Sequence, residues 1–63
     1  MNPRTLNLLN QIDPFLQRTR MAESRFGRSA VNDPRFVPML RDGRKPGERT
    51  SRRVRQFIQE YGK

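Results

Sequence analysis

The sequence predicts an all-α fold, a small bundle of about four short helices, two of them joined by a tight turn. Three observations lead there. Apolar residues recur at spacings of three and four, and nowhere in the period-two alternation of a half-buried strand. Two clusters of turn residues, Asn32-Asp33-Pro34 and Gly43 with Pro46-Gly47, cut the second half of the chain into helix-sized pieces. A chain of 63 residues also has room for one domain only, and buries only about 60% of its unfolded surface. Residues 1–63 therefore read as a single domain.

A first helix is expected over 3–19. Leu9, Ile12 and Leu16 form its apolar stripe, widened by Leu8 and Phe15. Asp13-Pro14 interrupts the pattern. A proline inside a helix removes one backbone hydrogen bond at a cost of about 3 kcal/mol. The pair thus predicts a kink, or a fresh start with Asp13 as N-cap and Pro14 as first residue. A second helix is expected over 22–31, with Phe26 and Ala30 inward and Glu23, Arg25 and Arg28 outward. Gly27 lies in its middle, where glycine is about 1 kcal/mol worse than alanine. A glycine kept there usually admits the close approach of another backbone.

Asn32-Asp33-Pro34 is the clearest punctuation in the chain. Asparagine tolerates left-handed backbone angles, aspartate is a strong N-cap, and proline suits the first helical position. The third helix is expected over 34–42, with Phe36, Val37 and Leu40 apolar. Pro38 fits only near a first turn, so this helix should start late or irregularly. Gly43 ends it and Arg44-Lys45-Pro46-Gly47 forms a basic loop. The fourth helix is expected over 48–61, with an inward stripe of Thr50, Val54, Phe57, Ile58 and Tyr61 and with Arg49, Arg52, Arg53 and Arg55 on other faces.

Composition narrows the function. There is no cysteine and no histidine, which removes disulfides, thiol catalysis, zinc fingers and the usual general base together. Six scattered carboxylates in a chain of net charge +8 offer no paired acid and base, so no catalysis, metal or cofactor is expected. Twelve of the fourteen basic residues are arginine, whose planar fork suits phosphate and guanine edges. The charge is also uneven: residues 1–34 carry net +2, residues 35–55 net +6, and the last eight residues are neutral. That basic block is an electrostatic footprint for a polyanion. No apolar run approaches the roughly 18 residues of a membrane span, and no export signal is visible, so a cytoplasmic place beside the nucleoid is expected.

A short helix, a tight turn, a second short helix, a basic loop and an arginine-rich helix make up the plan of a helix-turn-helix. In such a module one helix braces, the next lies in the major groove, and flanking cations hold phosphates. Phe26-Gly27-Arg28-Ser29-Ala30-Val31-Asn32-Asp33-Pro34, then Phe36-Val37, Leu40-Arg41, Gly43-Arg44, Pro46 and Val54, resembles the Cro/C-repressor class of bacterial and phage regulators, in a very short single-domain version. The resemblance covers about residues 22–58. Ala30 matches the small residue of the bracing helix, Val37 and Leu40 the anchors of the reading helix, and Gly43, Pro46 and Val54 the positions that follow. Three residues depart from the class pattern. Ala22 stands where a Ser or Thr cap is common, the turn is one residue longer than the commonest form, and Pro38 is unusual in a reading helix.

The resemblance implies base contacts from Asn32, Arg35, Pro38 and Met39, and phosphate contacts from Arg28, Arg41, Arg44, Lys45, Arg49 and Arg52. Arg35 is the leading reader, since bidentate pairing with guanine O6 and N7 discriminates by roughly 1–3 kcal/mol. Asn32 reads first as a turn residue and only second as a reader of adenine, and Met39 reads equally as a contact to a thymine methyl and as a core residue. Six phosphate contacts would give a slope of log affinity against log salt of about −5. The function expected is sequence-specific binding of double-stranded DNA in transcription regulation, as a homodimer on paired half-sites. The dimer surface would be the N-terminal segment with Leu6 and Leu8, or the end around Phe57 and Tyr61. No small-molecule ligand is expected. The alternatives are a sequence-independent RNA or nucleic-acid module, or a protein-binding adaptor or antiactivator.

Overall fold

Four helices follow one another without a strand among the described residues, which in this computed structural model are 2–61. They are α1 (Pro3–Thr19), α2 (Glu23–Val31), α3 (Phe36–Arg41) and α4 (Glu48–Glu60). The all-α expectation holds, and the ends fall within two residues of those predicted. None of these helices is long and apolar enough to cross a membrane.

The first helix starts on Asn2, whose side-chain Oδ1 accepts from the Arg4 backbone N–H at 2.9 Å, with Pro3 at the first position. It then runs unbroken through Asp13-Pro14, against the expected restart. Pro14 is exposed, and so is Asn10, whose carbonyl loses its usual helical donor. The orphaned acceptor therefore faces water, where it costs little. Asp13 is not a cap either, because its carboxylate is engaged with Arg41.

Arg20 ends α1 in the left-handed conformation at φ 58°. Only glycine takes that region without strain; other residues pay about 1 kcal/mol. Arg20→Gly should therefore stabilise the fold by up to about 1 kcal/mol, or a rise of several degrees in melting temperature. A thermal melt checks it, and an unchanged or lowered midpoint would contradict it.

The turn between α2 and α3 is built by two residues. Asn32 caps α2 in the left-handed conformation at φ 60°, and its N–H and that of Asp33 close back onto the Arg28 and Gly27 carbonyls. Asp33 Oδ1 then accepts from the Arg35 N–H at 2.9 Å, while its carbonyl accepts from Phe36. Pro34 and Arg35 form a turn, and α3 begins at Phe36 rather than Pro34. Pro38 thus falls in the first turn of α3, where its missing N–H costs nothing. Gly43, at φ +100°, and Arg44 close the helix by donating to the Leu40 and Met39 carbonyls.

The core takes Leu8, Leu9, Ile12 and Phe15 from α1, Phe26 and Ala30 from α2, Phe36, Val37 and Leu40 from α3, and Val54 from α4. Phe15, Phe26 and Phe57 meet edge to face in a triangle with centroids 5.4–5.9 Å apart. Each such pair adds about 0.5–1.5 kcal/mol beyond its area. The outer end of the predicted α4 stripe is less buried than expected. Phe57 and Ile58 are half-buried and Tyr61 is 45% exposed, although its ring packs on Phe15 at 5.2 Å. Two polar residues lie deep instead, Thr5 and Ser51.

Candidate nucleic-acid interface

The structure places α3 against α2 at an unusually short range. A Cβ built on Gly27 would lie 2.2 Å from the Asp33 carbonyl oxygen and 3.2 Å from the Phe36 Cβ. Gly27 is thus the residue that lets the turn and the start of α3 press onto α2. The close-packing position is Gly27, whereas Ala30 is simply a buried core residue. Against this brace α3 shows its apolar side to the core through Phe36, Val37 and Leu40 and leaves Arg35 and Pro38 exposed. The helix is short, six residues or about 9 Å long.

Beside α3 runs a cleft of about 210 Å³, edged by Asp33, Met39, Arg44, Lys45, Gly47 and Thr50. Of the four expected base readers, Met39 alone borders this cleft, half-buried, with the Arg44 guanidinium 3.3 Å from its sulfur. Arg35 caps the start of α3, Pro38 projects from its first turn, and Asn32 sits in the turn before it, all three exposed.

The basic residues divide into two groups. Arg28, Arg35, Arg44, Lys45 and Arg49 are exposed and make no ion pair among the described residues. Arg52 approaches Glu48 at 3.7 Å, but both side chains are more than 70% exposed, so that contact is worth little and leaves the charge available. Arg41 is different. Its guanidinium meets Asp13 at 2.6 Å and Glu23 at 2.7 Å, tying the end of α3 to α1 and α2 at once. Hydrogen bonds to Asp13 and then Glu23 raise its pKa further above its ordinary value, so it stays charged at any working pH. With two carboxylates around it, Arg41 braces the fold and does not join the unpaired cations.

The basic loop is held by residues that the sequence did not single out. Thr5, fully buried, donates its hydroxyl to the Arg44 carbonyl at 3.0 Å, and Arg4 Nη1 donates to the Pro46 carbonyl at 3.5 Å. Thr5 lies three and four residues before Leu8 and Leu9, in register with the buried stripe, and that register is the signal that marks it. Ser51 is explained likewise: it precedes Val54 by three, and its hydroxyl bonds back to the Gly47 carbonyl at 2.9 Å.

Thr5→Val keeps the shape and removes the donor, leaving the Arg44 carbonyl short of a partner. A loss of about 1–2 kcal/mol is expected. Hydrogen exchange at the Arg44 amide, which donates to the Met39 carbonyl, should quicken, while Thr5→Ser should retain wild-type protection. Equal protection in Thr5→Val would mean that the loop does not depend on this bond.

Compared with protein-family models, with curated proteins and with solved structures, the chain matches none.

Proposed function

We propose that this chain is a sequence-specific double-stranded DNA-binding regulator of transcription, of the Cro/C-repressor-like kind that its sequence resembles. The observation that carries the reading is a short helix braced on its neighbour at Gly27, with its outer side exposed beside a cleft edged by unpaired Arg44 and Lys45. In this reading α3 enters the major groove and Arg35 reads a guanine, with Met39 beside it in reach of a thymine methyl. Arg28, Arg44, Lys45, Arg49 and Arg52 hold the phosphates on either side. Arg41 sets the tilt of α3 without touching DNA. The protein acts without catalysis, and two copies serve two half-sites about one helical turn apart, on the nucleoid.

The aromatic residues support duplex DNA over single-stranded RNA. Binding of unpaired bases uses exposed aromatic platforms. Here Phe15, Phe26 and Phe36 are buried, Phe57 is locked between Phe15 and Phe26, and Tyr61, the one aromatic largely exposed among the described residues, has its ring packed on Phe15 and Phe57.

Competition tests the reading. A labelled duplex carrying a selected site is bound, then challenged with the same duplex, a scrambled duplex, single-stranded RNA and polyphosphate at equal charge. The selected duplex should compete at least a hundredfold better than the scrambled one. Equal competition by polyphosphate would make the chain a sequence-blind cation.

A further inference from the structure

Met39 is half-buried, yet it is not among the half-buried apolar side chains that pack on the core, as Met21 is. What covers it is the cleft beside α3 and the Arg44 guanidinium, whose Nη1 donates to the thioether sulfur at 3.3 Å. That contact is weak, because a thioether is a poor acceptor. We infer that Met39 is an oxidation site: hydrogen peroxide converts its thioether to the sulfoxide, which holds Arg44 in the cleft and lowers the affinity for DNA. The inference adds a regulation to the DNA reading above. It rests on that reading for its consequence, though not for the site of oxidation.

The step balances with peroxide alone. A sulfur lone pair attacks one peroxide oxygen, the O–O bond breaks, and the second oxygen leaves as hydroxide. That hydroxide takes the proton of the transferred oxygen and becomes water, so sulfur gives up the electron pair that peroxide accepts. Charge develops on the departing hydroxide, and a fixed cation beside it lowers the barrier. Arg44 and Lys45 both border the cleft and make no ion pair among the described residues. Met21 lacks this help. It lines a shallow groove whose cation, Arg41, is already held by Asp13 and Glu23. Both methionines are half-buried, so charge rather than access separates them.

The product changes what Arg44 does. A thioether releases the guanidinium to a phosphate at small cost, whereas the polar sulfoxide oxygen is a strong acceptor and retains it. A hydrogen bond to a charged group is worth enough to weaken duplex binding about tenfold. The oxygen also replaces the apolar surface that Met39 offers to a thymine methyl. Because Met39 stands outside the core packing, its oxidation spares the fold, while oxidation of Met21 would set a polar group against the core.

Peroxide treatment of the full chain, followed by peptide mass spectrometry, tests the site. Met39 should be converted before Met21, and Arg44→Gln should slow Met39 without slowing Met21. Earlier conversion of Met21, or an Arg44→Gln chain oxidised like wild type, would overturn the inference. Chain oxidised at Met39 alone is then purified, melted and titrated with the selected duplex. It should melt as the untreated protein does, bind about tenfold more weakly, and recover under methionine sulfoxide reductases. Met39→Leu should hold its own affinity through the same treatment. Oxidation should cost Arg44→Gln much less than wild type, because the guanidinium to be captured is gone. Unchanged affinity at full conversion of Met39, or an equal loss in Arg44→Gln, would overturn the inference. A chain whose Met39 oxidises first but that prefers no duplex sequence would sink the DNA reading and leave the oxidation site standing.

Discussion

Gly27→Ala should cost about 3 kcal/mol or more and lower the melting temperature by more than about 10 °C. Local propensity argues the other way, since alanine in mid-helix gains about 1 kcal/mol over glycine. Packing decides. The new methyl would sit 2.2 Å from the Asp33 carbonyl oxygen, a backbone atom that cannot rotate aside. Moving it displaces the carbonyl that caps Phe36, and the Asp33 side chain that holds the Arg35 N–H moves with it. Overpacking alone costs about 1–3 kcal/mol, and the broken turn adds to that. A domain of this size holds only about 3–9 kcal/mol in total. Thermal denaturation of Gly27→Ala beside Ser29→Ala, an exposed position of the same helix, gives the comparison. Ser29→Ala should be neutral or slightly stabilising. A Gly27→Ala protein that melts like wild type would show that α2 and α3 are not in this contact.

Salt should produce the largest effect on binding. Five available cations at the interface, Arg28, Arg44, Lys45, Arg49 and Arg52, give each chain a slope of log affinity against log salt of about −4.5. A fourfold rise in salt then weakens binding to a single half-site roughly 500-fold. The individual arginines make the prediction sharper. Arg44→Gln should reduce the slope by about 1, as expected for one lost phosphate contact. Arg41→Gln should lower stability and leave the slope nearly unchanged, because that guanidinium is already neutralised by Asp13 and Glu23. If Arg41→Gln lowered the slope as much as Arg44→Gln, the division between bracing and binding arginines would be wrong.

Much of this architecture is written in local chemistry. Asn32 and Gly43 take left-handed backbone angles that suit them, and Asp33 accepts from a backbone N–H two residues on, so the turns could be read without knowing what they join. Gly27 announced a close approach, but not that the approaching group is the Asp33 carbonyl. Non-local pairing is where reading the sequence ran out. Nothing near Arg41 indicates that its partners lie eighteen and twenty-eight residues away, and an arginine at the end of a basic helix looks like any other. Pro14 misled for a related reason. Its cost depends on whether the orphaned carbonyl meets water, and the exposure of that face is set by the whole bundle. Thr5 was hidden by its polarity, since a hydroxyl in an apolar stripe is recognised only once its acceptor is in place.

The central claim is that α3 reads bases, and selection of bound duplexes from a random pool tests it most directly. Wild type and Arg35→Ala are selected in parallel at two salt concentrations. A two-fold symmetric motif is predicted for wild type, with loss of preference at one base position of each half-site in Arg35→Ala. Salt-sensitive binding with no motif, the same for both proteins, would contradict the account.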